Sequence, residues 1–432
     1  MENLLIKNVS VVPMTHADAV IQNGYIYIEK GVINALGSAP NHTLVEKADR
    51  VIDGEHLVAM PGLINGHTHT PMSVLRGYAG DLPLQQWLQE IWKIEAKMSS
   101  EDIYWAAMLS MVEMLKSGTT TFGDMYYGMD KVAEGVQASG MRALLTQGII
   151  EQDGHGEDVL AECVDFVKRW HGKAEGRIQA ILSPHAPYTC SPQLIEKLVE
   201  AAHDLDCSIH THLNETRGKI DTIIERYGKR PIVLMDEIGL FSRHVIAAHG
   251  VHVSEEELEI LARSQAGIIH NPKSNMKLGS GIAPIADMLE RGIVVGLGTD
   301  GSASNNVLDM FEEMRFASFL QKVHLEDPTA LSAYETLKLG TALGAQALGI
   351  ESEIGTLEVG KKADLTLVNV DRTHALPLND ILSHLIYSAK ADDVDYTIVN
   401  GRVLYEKGHV VTLDEEKIKW HVLESKNKLF GS

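Results

Sequence analysis

The stretch PGLINGHTHT, residues 61–70, decides how the rest of the chain is read. An apolar run over 57–64 predicts a strand, Gly66 follows it, and His67 and His69 stand two residues apart. Side chains at i and i+2 of a strand point the same way, so both imidazoles are expected on one side of the strand's end. Such a pair is half of a metal site, although a His-x-His on a surface strand is as often two solvated side chains. The deciding question is whether the other ligands stand elsewhere in the chain.

Outward from that stretch the rhythm changes twice. Residues 1–56 hold short β-rich bursts such as LLIKNVSVVP and YIYIEKGVINALG, punctuated by Gly24, Gly31, Gly37 and Gly54, which predict a small antiparallel sheet. Residues 363–432 do the same: ADLTLVNVD and YTIVNGRVLYEKGHVV predict strands, the second a hairpin turning at Asn400-Gly401, with a helix at the carboxyl end. These two ends are expected to pack together as one discontinuous β-sandwich domain.

Between them, residues 57–362 alternate a short apolar strand with a longer helical pattern, the signature of an α/β fold with a parallel sheet. Eight strand candidates stand in order: LVAMPGLIN before His67, TTTFGDMY (119–126), RALLTQGII (142–150), RIQAILSPH (177–185), CSIHTHL (207–213), VIAAHGVH (245–252), AGIIHNP (266–272) and IVVGLGTD (293–300). Helical stretches lie between most of them, for instance 99–117 with Ser99 as N-cap, and 191–205. Eight strands close more naturally into a (β/α)8 TIM barrel than they spread into an open sheet, and such a barrel carries its active site on the carboxyl ends of its strands. Polar residues collect there. His67 and His69 end strand one, His185 ends strand four, His212 ends strand five, His249 lies in strand six, His270 ends strand seven and Asp300 ends strand eight.

Composition narrows the partners. With 432 residues, 44% of them hydrophobic and 22% charged, the chain can bury a large core. A formal net charge of -21 and the lack of any basic run argue against nucleic acid. Cys163, Cys190 and Cys207 share no C-x-x-C spacing, so neither a disulfide framework nor a thiolate zinc site is expected. No apolar run approaches membrane-spanning length and the amino end has no signal-peptide pattern, so the expectation is a soluble cytoplasmic protein without a membrane partner.

Neutral imidazoles plus a carboxylate make a site for one divalent ion, zinc first, with iron or manganese as alternatives. His67, His69, His212 and Asp300 are the expected ligands. No lysine stands at a strand end to bridge a second ion. A metal in such a site lowers the pKa of water toward neutrality and so supplies a nucleophile. Glu215 lies three residues beyond His212 in THLNET, where it can shuttle protons; its bland alternative is a carboxylate placed to suit a helix dipole. Asp300 can take a proton from the attacking water, and His249 can hydrogen-bond the added oxygen.

PGLINGHTHT, SPHAPYTCS, HTHLNET, AAHGVHV, HNPKSNMKLGSGIAP and GLGTDGSASNN, in that order, resemble the amidohydrolase superfamily, in its branch with one metal and a barrel flanked by a β-sandwich. Within it the chain is most similar to methylthioadenosine/S-adenosylhomocysteine deaminases, especially in QQWLQEIWKIE, MRALLTQG and NPKSNMKLGSGIAPI. By that resemblance Glu95 holds ribose hydroxyls, His185 contacts purine or sugar, Glu215 meets N1 of the ring, and Asp300 touches metal and substrate. Read without it, Glu95 is an exposed charge in a helix. The implied reaction is hydrolysis of a C–N bond in a cyclic amidine: water adds at C6 of a small-molecule nucleoside, N1 is protonated and ammonia leaves an inosine analogue. Relatives often form homo-oligomers, though no interface signal stands in the sequence.

Two departures bear on the substrate. Where relatives that accept the homocysteine conjugate carry arginines, this chain has Gln147, and Glu157 and Asp158 in the following loop. Without a bidentate partner for the amino-acid carboxylate, 5'-methylthioadenosine is expected to be preferred over S-adenosylhomocysteine and adenosine. Arg142 could replace a lost arginine only by pointing out of the top of its strand. The second departure, Lys93 where relatives often carry proline, is expected to act locally. Alternatives are a deaminase or hydrolase of another purine, a pyrimidine or a triazine on the same barrel, and a non-catalytic scaffold, which should have lost ligands that this chain keeps.

Overall fold

A computed structural model describes the chain except for Met1, Asn41, Pro83, Gln152, Asp153, Gly154 and Ser432, and leaves out the side chains of Leu84 and Gln85. Its centre is a parallel eight-stranded sheet rolled into a TIM barrel. The strands are Leu63–Thr68, Thr119–Tyr126, Arg142–Ile149, Ile178–Pro184, Ile209–Leu213, Val245–His249, Gly267–His270 and Val294–Leu297, neighbours in space in their order along the chain. They are buried almost end to end, as strands covered on both faces must be. At the seam between the last strand and the first, the Asp300 amide donates to the His67 carbonyl at 2.9 Å, while the Asn65 side chain donates Nδ2–H to Thr299 Oγ1 and accepts at Oδ1 from the Thr299 backbone amide.

Local chemistry agrees with this architecture. Ser99 caps the helix Ser100–Lys116 in a reciprocal capping box with Asp102, and Ser191 caps Pro192–Asp204 through the Leu194 amide. Each helix starts where its orphan N–H groups find an oxygen.

Both chain ends supply a second, nine-stranded sheet. Its far strand, Val32–Gly37, bridges through Val32 to Lys362, and the Ala363 amide donates to the Gly31 carbonyl, so the sheet curls back over its own apolar core of Leu4, Ile26, Ile33, Leu365 and Ile398. Asn400 and Gly401 turn the carboxyl-terminal hairpin with φ of 47° and 71°, the left-handed pair that a two-residue turn requires. Helix Glu415–Phe430 leaves this sheet and packs on the barrel helix Ser100–Lys116, with His421 stacked on Trp105 and Lys428 bonded to Asp102 at 2.7 Å.

Two expectations are corrected. The run over 57–64 is not one strand: Leu57–Pro61 pairs with the terminal sheet, and Leu63–Thr68 begins the barrel. Gly62 is the crossing point, where a Cβ would fall 2.1 Å from Thr120 Oγ1. An unbroken apolar run hides the switch because both halves are buried, each in a different sheet. Arg142 opens its strand, and so stands at the barrel's amino end, away from the mouth. It is buried there with Asp364, donating Nε–H to Oδ2 at 2.8 Å and Nη2–H to Asn400 at 2.7 Å, and thus joins barrel to terminal sheet.

Removing one partner of a buried ion pair strands the other. Arg142→Met is therefore expected to destabilise the chain by about 3–5 kcal/mol, with part recovered in the double variant Arg142→Met/Asp364→Leu. Urea unfolding reads both, and an unchanged midpoint in the single variant contradicts this role for Arg142.

Candidate functional site

The barrel mouth is assembled from the ends of its strands. Asp124, on the second strand, accepts from Thr68 Oγ1 at 2.9 Å and from the Thr70 amide at 2.8 Å, stapling the turn on which His69 rides. His69 Nδ1 then donates to the Met125 carbonyl at 2.5 Å, and His212 Nδ1 to the His185 carbonyl at 2.7 Å. His67 Nδ1 meets His210 Nε2 at 3.1 Å. With its Nδ1 engaged, each ring presents Nε2 as the free nitrogen.

Those free nitrogens converge. One ligand atom from each of His67, His69 and His212 lies within 4.8 Å of the others. Asp300 Oδ1 approaches His69 Nε2 at 3.2 Å and His67 Nε2 at 3.6 Å, while Oδ2 accepts from Ser274 at 2.6 Å. Buried His67 Nε2 has no hydrogen-bond partner. Asp300 and His249 both adopt left-handed backbone, φ 61° and 80°, which costs a non-glycine residue about 1–3 kcal/mol and recurs where function fixes a side chain.

Electrostatics favour a cation at this point. Burial drops His67 to about 4 and His185 to about 3, and pushes His212 well below its usual value, so these rings are neutral donors at pH 7. Burial works against charge on Asp300 as well, but its contacts with His67 and His69 outweigh it and hold the carboxylate ionised. For His69 burial is likewise outweighed, by the Asp300 carboxylate, and the ring rises to about 9. A buried anion that draws a proton onto its neighbour is a place for positive charge. Three imidazole nitrogens and a carboxylate oxygen fit a zinc-type ion, and the unpartnered His67 nitrogen is explained by one.

Above the cluster opens a cavity of about 470 Å³. Helix Leu84–Glu95 ends in it, and Glu95 is buried, accepting from the Tyr126 hydroxyl at 2.5 Å; the exposed-charge reading of Glu95 is overturned. Burial holds its carboxyl above the usual range. His185 lines the wall with Nδ1 against Thr189 Oγ1 at 3.0 Å. His249 turns Nδ1 to Asn275 Oδ1 at 3.0 Å and also reaches the cavity. Glu215 lies beside His212 with Oε2 ion-paired to Lys219.

Some expected residues lie elsewhere. Gln147 is absent from the cavity wall, where Gly148 and Ile150 stand instead. Glu157 and Asp158 form the exposed first turn of helix Gly156–Trp170, paired with Lys197 and His155, and do not line the cavity. His270 is buried but outside the cavity wall. Conversely, sequence reasoning passed over Asp124, Ser274, Lys219 and Tyr126. Asp124 carried a signal, since it stands at a strand end; so did Lys219, four residues after Glu215 at helical spacing.

The matched family model, amidohydrolase family, spans residues 58–404, and this chain belongs to that family. Among curated relatives, 5-methylthioadenosine/S-adenosylhomocysteine deaminase of Desulforudis audaxviator is 50% identical over 96% of each chain. The enzyme of the same name from Syntrophomonas wolfei is 46% identical over 99% of each. A zinc-bound adenosine deaminase from Xanthomonas campestris superposes with a TM-score of 0.94 at 33% identity, covering 100% of this chain and 99% of its own. Among the described residues no helix is long and apolar enough to cross a membrane.

If the cluster holds a metal, zinc added to chelator-treated protein should raise its melting temperature, because a ligand that binds only the folded state stabilises it. His212→Ala should lose that shift, with little bound zinc by elemental analysis. A full complement of metal in the variant would remove His212 from the ligand set.

Proposed function

We propose that the chain is a metal-dependent hydrolytic deaminase of 5'-modified adenosines, preferring 5'-methylthioadenosine. The observation that carries the nucleoside reading is Glu95, a buried carboxylate in the cavity that already holds the His and Asp cluster. Its second oxygen is free of Tyr126 and suits vicinal ribose hydroxyls. A bare guanine, cytosine or triazine would leave that second oxygen a buried acceptor without a donor.

In this reading His67, His69, His212 and Asp300 hold the ion, which supplies the Lewis acidity that activates water near neutral pH. Glu215, ionised at rest, faces N1 of adenine, takes up one proton of the attacking water and passes it to N1 as the oxygen adds at C6. Asp300, its Oδ2 held by Ser274, takes the second proton of that water, from the oxygen now on C6, and passes it to the departing amine. His249 is oriented by Asn275 and hydrogen-bonds the oxygen added at C6, which stabilises the tetrahedral carbon. Neutral His185 offers Nε2 to purine or sugar. Ammonia leaves, and an inosine analogue remains.

Substrate preference follows from the wall. Lys219 is the one lysine or arginine lining the cavity among the described residues, and Glu215 occupies it. An amino-acid carboxylate finds no free cation, whereas Leu88, Trp92, Ile150 and Val159 suit a thioether. This supports the small thioether over the homocysteine conjugate. The complete ligand set disfavours a scaffold without activity.

Ammonia release across a panel of methylthioadenosine, adenosylhomocysteine, adenosine, guanine and a triazine tests the reading. The largest kcat/KM is expected on methylthioadenosine, and no turnover of any adenosine analogue would refute it. Glu215→Gln should keep metal and lose about 10²–10⁴-fold in kcat. Ile150→Arg should move the substrate ratio toward adenosylhomocysteine while Gln147→Arg leaves it unmoved; the opposite outcome would put Gln147 back in the site.

A further inference from the structure

Lys219 sits in the first turn of helix Arg217–Tyr227, its amide held by the Thr216 cap at 3.4 Å. An ammonium largely withdrawn from water, here with 20% of the Lys219 side chain exposed, is costly unless matched, and this one is matched twice. It pairs with Glu215 Oε2, and it stands over the Tyr188 ring, 4.9 Å from the centroid. Among the described hydrogen bonds Glu215 has no other protein donor, so Oε1 is left to whatever enters the cavity. The spacing is i,i+4 across the loop-to-helix junction, so the helix start itself fixes where the ammonium lies.

A carboxylate that must meet one ring nitrogen needs its rotation about the terminal bond restricted, and a single cation on one oxygen does that. We propose that Lys219 is a positioning residue for Glu215: it clamps Oε2, aims Oε1 at the ring nitrogen, and is itself held in place by Tyr188. The fixed positive charge has a second effect, because it makes the neighbouring acid give up its proton more readily in the step that protonates the ring. This rests on the reading of Glu215 as the proton shuttle of a nucleoside deaminase. It also assigns the cavity's cation to catalysis and not to a substrate carboxylate.

The test uses the metal-loaded full chain with methylthioadenosine and adenosylhomocysteine. Lys219→Met is expected to lower kcat on both substrates by about 10–100-fold with KM within about twofold and metal content unchanged, while Lys219→Arg recovers most of the loss. In a Glu215→Gln background the same substitution should change kcat little, because its route through Glu215 is already gone. An unchanged kcat in Lys219→Met, or a rise in KM confined to adenosylhomocysteine, overturns the clamp and leaves the deaminase reading intact. Equal losses with and without Glu215 overturn it too, since they mark a structural role. Should Lys219→Met not fold, Lys219→Gln decides in its place: reduced kcat at constant KM supports the clamp, and native kcat, or a rise in KM confined to adenosylhomocysteine, contradicts it. Native protein that turns over no adenosine analogue removes the reading of Glu215 and the clamp with it.

Discussion

A single buried carboxylate, Asp300, sets the constraint around which the mouth of the barrel is arranged. Its backbone amide closes the seam on His67, one oxygen faces His67 and His69, and the other is taken by Ser274 of the short helix Pro272–Lys277 that follows the seventh strand. An unpaired charge at that depth would be prohibitive. The first, seventh and eighth strand ends therefore meet at a point where positive charge is required, and the left-handed backbone of Asp300 is tolerated because so many contacts hold it there. His212 on the fifth strand, across the barrel, brings a third imidazole within 4.8 Å of those of His67 and His69.

Around that point the structure separates two carboxylates by environment. Glu95 is pushed up by burial and meets a tyrosine hydroxyl, which suits a group that binds neutral hydroxyls. Glu215 is equally buried, yet Lys219 outweighs that burial and holds it down, which suits a group that must be ionised before it shuttles a proton. In the function proposed, binding and proton transfer are divided between these two residues of the same chemistry.

Most of the fold was legible in the sequence because parallel strands covered on both faces leave continuous apolar runs, each followed by helical spacing. The histidines at the ends of those runs exposed the site. Gly62 was not legible as a boundary, since Leu57–Pro61 and Leu63–Thr68 are both apolar and only tertiary pairing shows that they serve different sheets. Arg142 was legible in principle: it opens its strand, and the first residue of a barrel strand lies away from the mouth. Gln147 failed for a subtler reason, because the spacing along a strand does not tell which alternate residues face the cavity, and here Gly148 and Ile150 do. Glu95 and its partner Tyr126 are separated by a strand and a helix, so their contact needed the fold.

X-ray absorption at the zinc edge of the metal-loaded chain tests the central claim most directly. The account predicts a first shell of nitrogen and oxygen with the outer-shell scattering of three imidazoles and no sulfur, since Cys163, Cys190 and Cys207 are free and buried and no cysteine belongs to the proposed ligand set. A sulfur shell, or a spectrum without imidazole scattering, would contradict it.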